Sequence, residues 1–288
     1  MRTRLHVGAL LGLISVLLCR AHAAEAQRRT WLIVGSDWPE TGAAWMLERF
    51  GVLDSVAAAV NRRLRLQTTV TLLRDTSSAV NSYYERRNGE PTIRVTDGLV
   101  DEAARWAIPR SANTIRALSS PNLRVYSDQG YNINTPGAQL VRLEIVATSV
   151  VGYAVLHEVG HGLVDLLRLP VLGRGEDAAD QFATWFILTD TTAAVRYDLF
   201  GVVSWMWHLS ELAGSDTGLI TLEEEGGAHG TLRQRGYLVD CLVYGHDPMS
   251  LPEDVPLPVP GRTLDECRRE WLTVKTSWER LLRPYVYR

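Results

Sequence analysis

The sequence feature that most constrains the fold is a pair of polar clusters set in apolar, helix-forming segments. Residues 157–161 read His-Glu-Val-Gly-His inside a stretch whose apolar spacing predicts a helix over Ala138–Leu167. After a short turn, a second predicted helix covers Glu176–Leu188 and carries Glu176 and Asp180 in its first turns. Residues four apart lie on one face of a helix, and buried carboxylates are costly without a cation. We therefore expect the two helices to pack antiparallel around a positive charge.

The His-Glu-x-x-His spacing indicates a metal site. His157 and His161 share one helix face, so both imidazoles can reach a single ion at about 2.0–2.1 Å. Glu158 lies about 100° round the helix, beside the ion, where it can accept a proton from an activated water. The alternative is a pair of helical histidines whose nitrogens are satisfied by hydrogen bonds in the core.

A catalytic zinc ion takes three protein ligands and leaves one position open. Glu176 is the predicted third ligand, and Asp180, one turn later, can accept the free N–H of a metal-bound histidine. Asp177 is the main alternative ligand, although it points about 100° away from Glu176. Zinc is preferred to other divalent metals because of the ligand types.

These motifs resemble those of the gluzincins, the class of zinc metallopeptidases that includes thermolysin. A closer resemblance is to a bacterial family of metallopeptidases whose function is not established. The matching stretches are HEVGHGLVDLLRLPVLGRGEDAADQFAT (157–184), HGTLRQRGYLVDCLVYGHDP (229–248), CRREW to SWERLLRP (267–284) and, more weakly, SAVNSYYERRNGEPTIRV (78–95). The resemblance implies zinc bound by His157, His161 and Glu176, with Glu158 as the general base.

A peptidase also stabilises the oxyanion that forms on the scissile carbonyl. Thermolysin-like enzymes use a histidine or tyrosine of the downstream half for this purpose, and His229 is the predicted counterpart because it lies between a Gly-Gly loop and a helix. The alternative for His229 is a surface histidine that caps the helix. Weaker candidates for the same role are Tyr237, Tyr244, Arg233 and His208.

The N-terminus has the pattern of a secretory signal peptide. A basic start is followed by the apolar run Val7–Cys19, which is shorter than the roughly 20 residues of a membrane-spanning helix. We predict a signal over residues 1–23, cleaved after Ala23 or Ala26, and an exported protein in the periplasm or the medium. An uncleaved membrane anchor is the alternative. After cleavage we expect no membrane span.

Removal of the signal leaves two of the three cysteines, Cys241 and Cys267. Two cysteines in an exported chain commonly pair. Each lies in a predicted helix near the C-terminus, so a disulfide would join the last two helices. Two buried free thiols are the alternative.

The predicted fold class is α+β, with a small antiparallel sheet on the N-terminal side followed by a mainly helical, zincin-like half. Residues 27–288 would form a single domain with a proline-rich connector at 252–260. Strands are predicted at Trp31–Val34, Thr68–Leu73 and Thr92–Val95, the last after an Asn88–Pro91 turn. Thr92–Val95 is either an ordinary strand or an edge strand that takes substrate by strand addition. Further helices are predicted at Ala43–Leu64, Val100–Ala107, Ala193–Leu212, Thr231–Tyr244 and Thr263–Leu282.

The predicted function is that of an exported zinc-dependent metallopeptidase, which hydrolyses peptide bonds with a zinc-activated water and Glu158 as the general base. Its partner is a peptide or protein substrate. A net charge of −3 and a pI of about 6.2 give no sign of a basic face for nucleic acid. The alternative function is a non-catalytic zinc-binding protein of the cell envelope on the same scaffold.

Overall fold

The computed structural model describes residues 30–35, 47, 50–107, 136–190, 199–215, 230–247 and 259–287. Within them a four-stranded sheet comes first in the chain and helices follow, which confirms the predicted α+β class. The strands are β1 (Leu32–Val34), β2 (Val70–Asp75), β3 (Ser82–Arg87) and β4 (Glu90–Thr96).

The sheet is mixed, so the prediction of an antiparallel sheet is wrong in this detail. Its strand order is β1-β2-β4-β3, with β1 parallel to β2, β2 parallel to β4, and β3 antiparallel to β4. A helix crosses from β1 to β2, and such a crossover produces a parallel pair. The following hairpin then places β4 beside β2 and leaves β3 at the edge.

The hairpin between β3 and β4 turns at Asn88 and Gly89. Both residues have left-handed backbone angles, with φ values of 53° and 85°. Positive φ at both central residues is the requirement of the two-residue turn that matches the twist of paired strands, and Asn-Gly meets it at low cost. The turn therefore fixes the register in which Tyr84 of β3 opposes Ile93 of β4.

Seven longer helices lie within the described ranges, and each overlaps a predicted helix. They are α1 (Val52–Arg63), α2 (Asp97–Ala107), α3 (Pro136–Leu167), α4 (Gly175–Thr189), α5 (Leu199–Ser215), α6 (Leu232–His246) and α7 (Leu264–Leu282). The proposed signal peptide, His229 and residues 252–258 of the connector lie outside the described residues.

Helix α3 passes through the centre of the main hydrophobic core. Its segment Thr148–Leu167 is long and apolar enough to cross a membrane by length and composition, yet two thirds of it are buried inside the protein. Helices α1, α2, α4 and α5 and strands β3 and β4 all pack against α3. This is the environment of a central core helix, in which the apolar surface is covered by other parts of the same chain.

Helices α3 and α4 approach each other closely beside the two polar clusters. A Cβ atom on Gly160 would lie 3.0 Å from the Cα of Ala179. A larger residue at either position would separate the helices, because buried packing leaves little space to relax. Two small residues thus bring the histidines of α3 within reach of the carboxylates of α4.

Helices α6 and α7 pack together and are joined by a disulfide between Cys241 and Cys267, as the cysteine count predicted. Each helix begins with a capping box, formed by Thr231 with Gln234 and by Thr263 with Glu266. The reciprocal hydrogen bonds of these boxes fix where both helices start.

Helix α6 also buries a titratable carboxyl, Asp240, which is 3% exposed. Burial raises the pKa of Asp240 to about 7. Between the unfolded pKa near 4 and about 7, the folded protein keeps a proton that the unfolded chain has released. The free energy of unfolding should therefore fall as the pH rises through this window.

Asp240→Asn should remove this contribution. With a metal chelator present, the stability advantage of the variant over the wild type should grow by at most about 1.4 kcal/mol per pH unit from pH 4 to 7, and then level off. Urea denaturation at pH 4.5, 6 and 8 measures it. Asp101→Asn, on the exposed face of α2, is the control and should show no such trend. Parallel pH curves for Asp240→Asn and wild type would contradict the prediction.

Candidate metal centre

Three side chains converge where α3 meets the start of α4. The Nε2 atoms of His157 and His161 lie 3.1 Å apart. Glu176 places Oε2 3.0 Å from Nε2 of His157 and Oε1 3.1 Å from Nε2 of His161. These three residues form the group of potential metal ligands found within the described ranges.

The donor set and its spacing fit a divalent metal ion. In a tetrahedral site with bonds of 2.0–2.1 Å, neighbouring ligand atoms lie about 3.3 Å apart. The two histidine Nε2 atoms lie 3.1 Å apart, and each lies 3.0–3.1 Å from a different oxygen of Glu176, so each of these pairs is close to this value. Two imidazole nitrogens and one carboxylate oxygen also match the ligands of hydrolytic zinc sites, which leave a fourth position open.

The orientation of His157 is fixed from behind by Asp180. Nδ1 of His157 lies 2.8 Å from Oδ1 of Asp180 and donates to it, which leaves Nε2 facing Glu176. Burial works to lower the pKa of His157, but Asp180 and Glu176 outweigh burial and raise it to about 9. The metal-free imidazole therefore holds a proton between two carboxylates, and a metal ion at Nε2 would take the place of that proton.

The carboxyl of Glu176 is held in its charged form. Burial works to raise its pKa, but hydrogen bonds to His157 and His161 hold it well below the usual range. Glu176 therefore offers an anionic oxygen at ordinary pH, as a metal ligand requires.

Glu158, which follows His157 on α3, is held by the sheet. Its Oε1 accepts a hydrogen bond from the hydroxyl of Ser82 at 3.0 Å, and its Oε2 accepts one from the backbone N–H of Tyr84 at 2.8 Å. A carboxylate has about four acceptor positions, so the hydrogen bonds from the described residues leave two of them for a water molecule. The outer edge of β3 thus orients the general-base candidate without using all of its acceptors.

Strand β3 is anchored to α3 by a second set of contacts. The hydroxyl of Tyr84 and Nε of Arg86 both donate to Oδ2 of Asp165, at 2.7 and 2.6 Å. The Tyr84 ring lies against Gly162, one residue after His161. The edge strand beside the site is therefore β3, whereas Thr92–Val95 lies in β4, between two other strands. The hypothesis that Thr92–Val95 is an edge strand for substrate is wrong.

Two residues that contact the site were not found from the sequence. Tyr153 donates from its hydroxyl to Oδ1 of Asp180 at 2.9 Å. Arg235, on α6, donates to both oxygens of Asp180, from Nε at 2.7 Å and from Nη2 at 2.8 Å. A cationic partner could have been expected, because a buried Asp180 requires a countercharge. The sequence does not show which arginine supplies that charge.

Asp177, the alternative third ligand, lies apart from the histidines. It lines a cavity of about 250 Å³ with residues of the α3–α4 turn and of α7, among them Leu172 and Trp278. Burial raises the pKa of Asp177, which does not favour the anionic form that a ligand needs. The structure therefore favours Glu176 over Asp177.

The weaker oxyanion candidates lie in other environments. His208 stacks on Trp106 at 4.5 Å between ring centroids and lies 3.5 Å from Glu102. Tyr244 is buried in a small cluster that contains both disulfide cysteines. The remaining two contact α5: Arg233 lies 6.0 Å over the ring of Trp207, and Tyr237 packs edge-on against the same ring.

Comparison with known families agrees with this site. The sequence profile of the family DUF4344, described as "Putative metallopeptidase", matches residues 39–282. The match covers most of the chain and includes every residue of the His157–His161–Glu176 group. The chain belongs to this family. No curated protein and no solved structure matches the chain.

Metal analysis tests the ligand set directly. Purified wild-type protein supplied with zinc should contain about one zinc per chain, because three ligands are already in place. His161→Ala and Glu176→Ala should lose it, whereas the matched control Asp177→Asn should keep it. Plasma mass spectrometry after gel filtration gives the ratio. Zinc retained in Glu176→Ala and lost in Asp177→Asn would move the third ligand to Asp177.

Proposed function

We propose that this protein is an exported, zinc-dependent peptidase of the gluzincin type, in which His157, His161 and Glu176 hold the metal and Glu158 is the general base. The observation that carries the proposal is the convergence of His157, His161 and Glu176, whose ligand atoms all lie within 4.8 Å of one another, while Glu158 of the same helix is held by strand β3.

When bound there, zinc would supply Lewis acidity, which makes water a nucleophile near neutral pH and polarises a scissile carbonyl. Glu158 takes the proton of the attacking water on one of its two remaining acceptor positions and then passes it to the leaving amine. Ser82 and the N–H of Tyr84 keep the carboxylate in place through both transfers. Asp180 keeps His157 in the tautomer that presents Nε2.

Exposure of the ligands supports catalysis over the non-catalytic alternative. The side chain of His161 is 25% exposed, whereas those of His157 and Glu176 are 6% and 11% exposed. Of the three ligand side chains, that of His161 is therefore the most open to solvent. A purely structural zinc site is usually closed by a fourth protein ligand, and the ligand group found among the described residues has three members. The substrate class is a peptide or protein.

His229 remains our proposed oxyanion-stabilising residue. Its chain neighbour Gly230 lies against the guanidinium of Arg174, because a Cβ on Gly230 would be 2.9 Å from Nη1. Arg174 immediately precedes α4, whose first turn carries Glu176. The chain thus enters α6 close to the end of α4 that contributes the third ligand, and this supports the proposal.

Replacement of the general base separates chemistry from metal binding. Glu158→Gln should lower peptide hydrolysis by about 10²–10⁴-fold, because the amide cannot accept the water proton, and should retain zinc. Cleavage of a quenched fluorescent peptide library measures activity, and plasma mass spectrometry measures zinc. The control Glu85→Gln, on the face of β3 that pairs with Arg94, should cleave like the wild type. Full activity in Glu158→Gln would refute the mechanism, and inactivity of zinc-loaded wild type on every peptide would favour the non-catalytic alternative.

Export has its own test. The protein recovered from the producing cells should begin after Ala23 or Ala26, and its intact mass should be lower by the two hydrogens lost when Cys241 and Cys267 pair. Mass spectrometry of periplasm and medium, before and after reduction, checks both features. An intact N-terminus on a membrane-bound protein would show that the leader is an anchor.

A further inference from the structure

Arg235 of helix α6 places its guanidinium next to Asp180, the residue that hydrogen-bonds to the candidate ligand His157. The side chain of Arg235 is 16% exposed. It forms a bidentate salt bridge with Asp180, from Nε to Oδ2 at 2.7 Å and from Nη2 to Oδ1 at 2.8 Å. Such paired, charge-assisted bonds fix geometry as well as charge. Among the described residues, Arg235 makes its hydrogen bonds to the site with Asp180, and its Nη2 also lies 3.3 Å from Nδ1 of His157, on the side of the ring away from the ligand atom Nε2.

Asp180 is saturated by its neighbours. Its side chain has no exposure to solvent, and it accepts hydrogen bonds from Tyr153, His157 and, twice, Arg235. These are four hydrogen bonds in all, three to Oδ1 and one to Oδ2, which is about the number that a carboxylate accepts. Nη2 of Arg235 also lies 3.3 Å from Nδ1 of His157, and both nitrogens donate to the same oxygen. The position of Arg235 therefore sets the position of the oxygen that orients His157.

The charges at the site require a cation before any metal is present. Glu158, Glu176 and Asp180 are all buried, and buried carboxylates without countercharge are strongly destabilising. Arginine supplies a charge that is not lost at any ordinary pH. With Arg235 in place, the chain can fold with Asp180 and His157 already in the arrangement that a metal ion needs.

We propose that Arg235 is a positioning residue for the metal centre, which acts through Asp180 to hold Nε2 of His157 toward the ion and so sets metal affinity. This inference rests on the proposed function, because it takes the group of His157, His161 and Glu176 as the metal site. Lysine at position 235 would keep the charge but could not make the planar, bidentate contact of a guanidinium. Glutamine at position 235 would keep polarity without the charge.

The test compares zinc affinity of metal-free proteins by competition with a chromogenic chelator. Arg235→Gln should bind zinc about 10–100-fold more weakly than the wild type, as expected when a group that orients a ligand is lost, and Arg235→Lys should fall in between. The matched control is Arg74→Gln, because Arg74 forms the same kind of bidentate salt bridge, with Asp97, in another part of the fold. Its zinc affinity should equal that of the wild type.

A second pair of variants covers the case in which Arg235→Gln fails to fold. Arg235→Gln combined with Asp180→Asn removes both charges, so that no unpaired carboxylate is buried. Arg235 acts on His157 only through the Asp180 carboxylate, so its loss should add nothing once that carboxylate is replaced. The double variant should therefore lose as much zinc affinity as Asp180→Asn alone. Near-ultraviolet circular dichroism confirms the fold of each variant before titration.

The outcomes separate this inference from the proposed function. Folded Arg235→Gln with unchanged or higher zinc affinity would overturn the positioning role alone, and so would additive losses in the double variant. Absence of zinc binding by the wild type would overturn the metal site and this inference with it. Zinc binding without peptidase activity would leave the role of Arg235 supported, since the readout is affinity.

Discussion

One carboxylate without solvent exposure, Asp180, joins three helices. It lies on α4, accepts hydrogen bonds from Tyr153 and His157 of α3, and is paired with Arg235 of α6. Such a group is costly to bury unless every acceptor is satisfied, so the three helices have little freedom to shift relative to one another. The same bonds that restrict the helices also fix the tautomer of His157. Stability of the helical half and preorganisation of the candidate metal centre therefore depend on the same residue.

The sheet contributes to the site from the opposite side. Strand β3 is at the edge of the sheet, and its hydroxyl and backbone N–H groups at Ser82 and Tyr84 hold Glu158. The ligands therefore belong to the helical layer, whereas the general-base candidate is oriented by the sheet. Tyr84 and Arg86 bind Asp165 of α3 and keep the two layers in register. This division explains why a small sheet accompanies a mainly helical chain.

Local spacing predicted most of the site, because its key residues lie four apart on two successive helices. The i, i+4 pattern placed His157 and His161 on one face, and it also predicted that Asp180 orients a histidine, as the structure shows. Contacts between residues distant in sequence could not be predicted in this way. Arg235 is 55 residues from Asp180 and Ser82 is 76 from Glu158. The mixed sheet was missed for the same reason, and β3 was missed because its residues are mostly polar.

The position of the motif within α3 has a consequence for the chain before it folds. The segment Thr148–Leu167 has the length and hydropathy of a transmembrane span, and His157 and Glu158 occupy its middle. A charged side chain at the centre of a nascent span costs about 2.5–3.5 kcal/mol on insertion by the translocon. In the export route that we propose, the residues that we assign to chemistry would therefore also oppose lateral release of the chain into lipid. Under that proposal, substitution of Glu158 by an apolar residue would alter biogenesis as well as catalysis.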